Sequence, residues 1–205
     1  MLLIYVMAAL FMMPSCGSTG NKPEEPKQVV STDTIVTDTV KAPQGDVATY
    51  YSDVVNKKNC FILISKPEFR LYVCEVVKGD TIKRVHYPVC VGKNPGQKQK
   101  KGDMKTPECT AAKPFKITEI VDASKWTHDF GDGRGEILAY GNWFMRLYTP
   151  GHSGIGIHGS TNNEGSVPGR GSEGCIRLRN DDLDELKAKY AFKGMRVVIL
   201  ADEIE

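Results

Sequence analysis

Short apolar segments separated by turns dominate the chain from about residue 60 onward. The segments are rich in Val, Ile and aromatic residues, and the turns between them are rich in Gly, Pro, Asn and Asp, which is typical of strands joined by tight connections. The strand-like segments are 60–64, 69–77, 84–91, 115–121, 137–140, 143–148, 154–158 and 195–201. So many short strands predict a mainly β fold, either a sandwich or a partly closed barrel.

One segment near the C-terminus has helical spacing instead. Residues 181–192 follow Asn180, a residue type that often caps helix N-termini, and they begin with acidic side chains that suit a first turn. Gly194 lies where such a helix would end. The apolar positions that would face the core are Leu183, Leu186 and Tyr190. The sequence therefore predicts a single helix in the C-terminal region.

The N-terminal residues predict export. Residues 1–13 are almost wholly apolar, too few to span a bilayer in the ordinary way, and Pro14-Ser15-Cys16-Gly17 follows them. We interpret 1–15 as a lipoprotein signal peptide that leaves Cys16 to carry lipid and to anchor the protein to a membrane. A simple secretory peptide is the alternative, and either one would place the protein in the cell envelope or periplasm. No Lys or Arg precedes the apolar run, which leaves open a start upstream of Met1.

A polar segment, 16–46, separates this signal from the strand-rich region. It is rich in Thr, Pro, Lys, Glu and Asp, so we expect a flexible tether ahead of one domain at 47–205. Charge is nearly balanced, with 27 Lys and Arg against 25 Asp and Glu and a formal net charge of +2. This balance gives no reason to expect nucleic-acid binding. The cluster of Lys98, Lys100 and Lys101 is expected to be a solvated loop, with contact to an anionic polymer as the alternative.

The residues that carry chemistry lie in a glycine-rich turn and in a strand before it. Cys175 follows Gly174 in the turn 171–177, downstream of His158 and Gly159. A thiol is only slightly ionised at neutral pH, and a nearby imidazole can accept its proton, so these two residue types can form a nucleophile and its base. Gly174 permits unusual dihedral angles that aim backbone N–H groups at an acyl oxyanion. The alternative is that Cys175 is a small buried apolar residue and His158 a hydrogen-bonded core histidine.

These residues resemble the signature of the L,D-transpeptidase catalytic domain of the YkuD type. That family carries H-G, a variable stretch, and then S-H-G-C followed by an apolar residue and often Arg. This chain has His158-Gly159 and then Ser172-Glu173-Gly174-Cys175-Ile176-Arg177. Three upstream blocks also match in order: Val91-Gly92-Lys93, Lys105-Thr106-Pro107-Glu108 and Phe115-Lys116-Ile117. The resemblance covers roughly residues 58–200.

The resemblance implies an enzyme of the bacterial cell wall that acts on peptidoglycan stem peptides. Cys175 would attack the carbonyl carbon of the third stem residue and expel the terminal D-alanine, with His158 as the base. The N–H groups of Gly174 and Cys175 would stabilise the oxyanion, and the Gly159 carbonyl would orient the imidazole. An amine of a neighbouring stem would then take the acyl group and form a 3-3 cross-link. This chemistry needs no metal or organic cofactor, and carbapenems would acylate the same sulfur.

Two other functions stay open at this point. Water in place of the amine would make the protein a hydrolase of the same bonds, either an L,D-carboxypeptidase or an enzyme that releases wall-linked protein. A protein that keeps the fold and only holds stem peptides would be a catalytically silent wall-binding lipoprotein. Transfer and hydrolysis differ only in which nucleophile reaches the thioester, so the sequence does not separate them.

The chain departs from the family pattern at two positions. Glu173 stands where the family commonly has a second His, and Cys109 stands where it commonly has Gly. The departure at Glu173 is the one observation that favours a silent binder. We expect Glu173 to contact the substrate; the alternative is that its carboxylate supports a protonated His158 beside the thiolate.

Three more side chains have predicted supporting roles. Arg177 either binds a substrate carboxylate or braces the active-site turn, and bracing is favoured. Ser172 belongs to the same turn and supports it or the substrate. Trp143 is a better candidate than Trp126 to line a substrate groove, and simple core packing is the favoured alternative for it. The histidines to which we assign no role are His86, His128 and His152.

Four cysteines remain once the lipidated and nucleophilic ones are set aside. They are Cys60, Cys74, Cys90 and Cys109. Export would place them in an oxidising compartment, where disulfides persist. If a hairpin turn sets Ser65 opposite Phe69, then Cys60 lies opposite Cys74, at a separation only marginally suited to a disulfide. Four reduced and buried thiols are the alternative.

Overall fold

The computed structural model describes residues 49–50, 53–54 and 56–202. The predicted signal peptide (1–15), the predicted tether (16–46) and Cys16 all lie outside these residues. Within the described part of the chain, no helix has both the length and the apolar character needed to cross a membrane.

Thirteen strands lie in the described residues, which confirms the prediction of a mainly β fold. In chain order they are β1 (Thr49–Tyr50), β2 (Cys60–Ser65), β3 (Arg70–Val77), β4 (Asp80–Pro88), β5 (Cys90–Gly92), β6 (Phe115–Asp122), β7 (Thr127–Asp129), β8 (Glu136–Leu138), β9 (Trp143–Tyr148), β10 (Gly156–His158), β11 (Gly169–Ser172), β12 (Ile176–Arg177) and β13 (Arg196–Ile199). Eleven of these strands form one mixed sheet in the order β1-β4-β3-β2-β13-β6-β9-β10-β12-β5-β11, and β7 pairs with β8 in a separate hairpin.

The last strand, β13, joins the two halves of the large sheet. It pairs in parallel with β2 and antiparallel with β6, so it lies between the N-terminal hairpins and the strands that carry His158 and Arg177. Its side chains Val197 and Ile199 are fully buried in the core. Such β-branched residues suit a pleated strand and stabilise it by removing apolar surface from water.

The β2–β3 hairpin differs from its predicted register by one residue. Phe69 has a φ of +51° and lies in the turn, so the turn contains four residues. As a result Cys74 pairs with Phe61, and Cys60 pairs with Glu75. The predicted opposition of Cys60 and Cys74 is therefore wrong, because a shift of one residue places them on opposite faces of the hairpin. Both are free thiols, as are the other cysteines of the described residues.

The predicted helix is present, but it begins one residue earlier and changes its winding. It is α-helical over α1 (Asn180–Glu185) and continues as a π-helical turn over Leu186–Tyr190. Asn180 is not the N-cap. Its side-chain oxygen accepts a hydrogen bond from Ser160 N at 3.0 Å, and its amide donates to Thr161 Oγ1 at 2.9 Å, which ties α1 to the loop after β10. The side chains predicted to face the core are buried: Leu183, Leu186 and Tyr190.

Pairing of β9, β10 and β12 brings the predicted catalytic residues together. β10 runs antiparallel to β9, where His158 lies opposite Phe144, and parallel to β12, where His158 lies opposite Arg177. Cys175 directly precedes β12, so it lies beside the residues of β10. The sheet itself therefore juxtaposes the histidine and the glycine-rich turn.

Candidate active site

Cys175 and His158 line one cleft, which has a volume of about 600 Å³. Aromatic side chains form much of its wall: Trp126, Phe130, Tyr140 and Phe144. Charged and hydroxyl side chains also line it: Lys98, Lys101, Ser172, Glu173 and Arg177. An apolar wall with a few polar groups is the usual composition of a small-ligand site.

The His158 imidazole is buried and held in one tautomer. Its Nδ1 lies 2.7 Å from Gly159 O, and because a carbonyl oxygen only accepts, Nδ1 carries the proton and Nε2 keeps its lone pair. The ring stacks on Phe144 at a centroid distance of 5.6 Å and contacts Tyr140 at 4.8 Å. Burial, together with the nearby Arg177 guanidinium, lowers the pKa of His158 from 6.5 to about 3. The imidazole is therefore neutral at physiological pH.

The thiol of Cys175 also rests in its uncharged form. Burial raises its pKa above the ordinary value, a backbone N–H and the Arg177 guanidinium oppose this rise, and the Glu173 carboxylate adds to it. The Sγ–H donates a hydrogen bond to Gly154 O at 3.4 Å. Because the imidazole of His158 is neutral as well, the resting pair is thiol and imidazole and not an ion pair.

One hydroxyl closes the turn that precedes the nucleophile. Ser172 Oγ donates to Cys175 O at 2.6 Å and accepts from Gly174 N at 3.1 Å. Gly174 has a φ of +133°, and a Cβ there would lie 2.8 Å from Lys105 O, so a larger residue would strain the turn. The Gly174 N–H is committed to the turn, contrary to its predicted place in the oxyanion hole. Within the described residues the Cys175 N–H has no such bond and is available to an oxyanion.

Gly159 is required because two backbone segments cross behind the histidine. A Cβ at Gly159 would lie 2.8 Å from Gly141 Cα and 3.0 Å from Tyr140 O, and it would also meet the side chain of Asn180. The Gly159 N–H donates to Tyr140 O at 2.6 Å. This close crossing fixes the carbonyl that orients the imidazole.

Arg177 braces the turn that contains Cys175, which is the favoured of its two predicted roles. Its Nη1 donates to Gly171 O at 3.2 Å, and its guanidinium lies over the Phe130 ring at 5.1 Å. The side chain is buried, yet its Nε has no hydrogen-bond partner among the described residues. Arg177 also lines the cleft, so its guanidinium borders the space that a substrate would fill.

Glu173 lies beside an imidazole other than His158. Its Oε2 is 3.3 Å from His128 Nε2, and half of its side chain is exposed. The side-chain charges that lower the pKa of His158 are those of Arg177 and His128, and burial is the larger cause. The contacts therefore give no support to the alternative that Glu173 holds a protonated His158. Contact between Glu173 and substrate stays a prediction.

Trp143 lies outside the cleft and packs against the core, which is the alternative given for it, and the groove role is wrong. Its ring packs against the core, with Lys187 Nζ 3.9 Å from the ring centroid. The next residue of β9, Phe144, lines the cleft because successive strand residues face opposite sides. Trp126, the less favoured tryptophan, lines the cleft as well.

Two histidines to which sequence reasoning assigned no role also line the cleft. His128 lies on β7, and His152 lies in the turn after β9. No local sequence pattern marks either of them. Their location depends on how the β7–β8 hairpin and the turn fold against the sheet.

Lys98 is buried, contrary to the prediction of a solvated loop. Its Nζ lies 2.7 Å from Asp103 Oδ1. Asp103 also accepts hydrogen bonds from the backbone N–H groups of Gln99, Lys100 and Lys105. The Asp103 carboxylate thus stabilises the loop conformation in which Lys98 lines the cleft.

The position of Glu173 gives a prediction about the nucleophile. Because its carboxylate raises the pKa of Cys175, Glu173→Gln should lower that pKa. The pH profile of Cys175 alkylation by iodoacetamide should move to lower pH. Glu164→Gln is the matched control, since it removes an exposed carboxylate outside the cleft and should leave the profile unchanged. A profile that moves to higher pH in Glu173→Gln would contradict this electrostatic role.

The comparisons with known proteins identify the family of the domain that carries this site. The cleft contains a thiol in a glycine-rich turn and an imidazole held in one tautomer. These are the parts of a cysteine acyl-transfer site. The family model described as the L,D-transpeptidase catalytic domain (YkuD) matches residues 60–199, and the chain belongs to this family. Members of the family act on peptidoglycan stem peptides.

The solved structures to which the chain is similar have low sequence identity to it. Bd1075 of Bdellovibrio bacteriovorus is 24% identical, with 76% of this chain and 53% of that chain covered and a TM-score of 0.50. The helical cell shape determining protein Pgp2 of Campylobacter jejuni is 22% identical, with 78% and 51% covered and a TM-score of 0.48. An L,D-transpeptidase of Mycobacterium smegmatis is 19% identical, with 70% and 59% covered and a TM-score of 0.45. The chain spans about half the length of the first two. A search of curated proteins found no match.

Proposed function

We propose that this protein is a cysteine acyl-transferase that forms 3-3 cross-links between peptidoglycan stem peptides through a thioester on Cys175. The observation that carries the proposal is the arrangement of Cys175 and His158 in one cleft, with the imidazole held by Gly159 O so that Nε2 is free to accept a proton. Membership of the family supports the substrate class.

The first half-reaction forms the thioester. The thiol proton moves to His158 Nε2 while Cys175 Sγ bonds to the carbonyl carbon of the third stem residue. The carbonyl electron pair becomes an oxyanion, to which the Cys175 N–H donates. When the oxyanion collapses, the C–N bond breaks and the terminal D-alanine leaves, its nitrogen taking up a second proton, which the attacking amine of the next half-reaction restores. Since the resting pair is uncharged, transfer of the thiol proton to His158 is part of acylation.

The second half-reaction transfers the acyl group. An amine of a second stem attacks the thioester carbon, the C–S bond breaks, and the Cys175 thiolate recovers its proton from His158. The product joins the third residues of two stems. The place of Arg177 in the cleft wall supports this assignment, because a guanidinium there is a cationic group beside a substrate carboxylate or carbonyl.

Purified disaccharide tetrapeptides provide the test of this function. The protein is incubated with these muropeptides, and the products are identified by liquid chromatography and mass spectrometry. Dimers joined between third residues are the expected result. Monomers shortened by one residue would show a hydrolase instead, and unchanged input would show a protein that only binds stems. Carbapenem acylation of Cys175 is a further expected property, since the same sulfur would open the lactam.

We also propose that the protein is exported and anchored to a membrane of the cell envelope through lipid on Cys16. The apolar segment that ends at Pro14-Ser15-Cys16 supports this. Metabolic labelling with palmitate should mark the wild-type protein and not Cys16→Ser. Equal labelling of the two proteins, or none in either, would contradict the anchor.

A further inference from the structure

His128 and Glu173 form a second imidazole–carboxylate pair in the cleft. His128 lies on β7 and Glu173 in the turn before Cys175, and their Nε2 and Oε2 atoms are 3.3 Å apart. The His128 ring packs edge-on against Phe130, with centroids 4.5 Å apart. Position 173 is where the family pattern has histidine, so in this chain an imidazole reaches the same turn from a different strand.

The two imidazoles of the cleft have opposite surroundings. His158 is 4% exposed and has the Arg177 guanidinium as its nearest strong charge. The His128 side chain is 31% exposed and has the Glu173 carboxylate beside it. Burial and the guanidinium lower the pKa of His158, whereas the neighbour of the His128 ring is a carboxylate. The ring of Tyr140 contacts both imidazoles, at 4.8 Å from His158 and 6.3 Å from His128.

The Nε2 atom of His128 is not committed to another protein group. It is covered from solvent and has no well-aligned hydrogen bond in the described residues, although Glu173 lies close. Glu173 is half exposed, so its side chain can move and admit a ligand nitrogen to Nε2. By contrast, His158 Nδ1 is bound to Gly159 O, which leaves only Nε2 for the sulfur.

We propose that the two histidines divide the proton transfers of the reaction. His158 exchanges a proton with the Cys175 sulfur, and His128, paired with Glu173, exchanges a proton with the amine nitrogen that leaves or attacks. This inference rests on the proposed function. It makes His128 an additional catalytic residue, which acts on the leaving and the attacking amine.

The proton transfers balance over one cycle. In acylation His158 accepts the thiol proton and His128 is the donor to the leaving nitrogen. The thiol proton moves to His158, the S–C bond forms, and the C–N bond breaks as His128 gives its proton to the leaving nitrogen. In the second half, the attacking amine gives a proton to His128, the C–S bond breaks, and the thiolate recovers its proton from His158. Both histidines return to their starting states.

Two stem peptides that differ in the leaving group provide the test. One ends in the natural D-alanine, whose basic amine needs a proton to leave, and the other is the p-nitrophenyl ester of the third residue, whose phenolate leaves without one. In single-turnover acylation, removal of one acid–base group should slow His128→Gln about a hundredfold on the D-alanine peptide and less than about threefold on the ester. His158→Gln should be slowed on both peptides.

His86→Gln is the matched control, because His86 lies on β4 against Tyr72 and outside the cleft. It should react like wild type with both peptides, and urea unfolding checks that His128→Gln is folded. Equal losses on the two peptides, or a wild-type rate of His128→Gln on the D-alanine peptide, would overturn the division of roles. No acylation of the wild-type protein by the D-alanine peptide would instead contradict the proposed function.

Discussion

Cys175→Ala should abolish turnover of stem peptides and leave the fold close to wild type. Alanine fills most of the space of cysteine but carries no nucleophile. In the described residues the thiol makes one long hydrogen bond, to Gly154 O at 3.4 Å, so its loss should cost about 1 kcal/mol or less. The turn itself is closed by Ser172 Oγ through backbone groups that the substitution leaves in place.

The same variant tests which sulfur forms the thioester. Intact-protein mass spectrometry after carbapenem treatment should show one adduct on wild type and none on Cys175→Ala. Cys109→Ala is the matched control. Cys109 is partly buried and lies outside the cleft, where its sulfur accepts a hydrogen bond from the backbone N–H of Ile199 in β13. It should keep both the adduct and the turnover. An adduct of equal yield on Cys175→Ala, or retained turnover, would contradict the assignment.

The sequence predicts the nucleophile and base because their placement depends on local backbone geometry. Gly159 marks a crossing of two backbone segments, and Gly174 marks a turn with positive φ close to another loop. Only glycine satisfies these conditions, so the chemistry-bearing residues carry glycines beside them. His158 and Cys175 are separated in the sequence, and the pairing of β10 with β12 brings them close together.

The register of the first hairpin could not be predicted in the same way. Its turn uses Phe69 in the left-handed region, which is rare for an aromatic residue and gives no signal in the sequence. The single extra turn residue moves Cys60 away from Cys74. Alternation along a strand makes any error of one residue reverse the faces. Trp143 and Phe144 show the same alternation, since only Phe144 faces the cleft.

Contacts between segments that are distant in the sequence could not be predicted either. His128 lies beside Glu173 because the β7–β8 hairpin packs over the turn that contains Cys175. Lys98 is buried because Asp103 forms an ion pair with it and hydrogen bonds to the backbone of the same loop. Both depend on long-range or irregular geometry that hydrophobic patterns do not encode. Such residues contribute to the charge of the cleft that Cys175 and His158 line.

His158→Gln should slow acylation at least about a hundredfold, the usual loss when a positioned general base is removed. A glutamine amide can still donate to the Gly159 carbonyl, so the fold should be retained. The rate is measured in single turnovers on the D-alanine peptide. Alkylation of Cys175 by iodoacetamide at alkaline pH, where the thiolate forms without a base, should continue and shows that the sulfur is accessible. An unchanged acylation rate would mean that another group accepts the thiol proton.

The buried imidazole also makes stability depend on pH. The pKa of His158 is about 3 in the folded protein and near its ordinary 6.5 in the unfolded chain, so below pH 6.5 the unfolded chain binds a proton that the folded protein does not. Stability is therefore lost as pH falls from 6.5 towards 3. Between pH 7 and pH 4.5 the free energy of unfolding of wild type should fall by about 2 kcal/mol more than that of His158→Gln, as urea titrations can measure. Other titrating groups contribute equally to both proteins, so equal losses would contradict a neutral, buried His158.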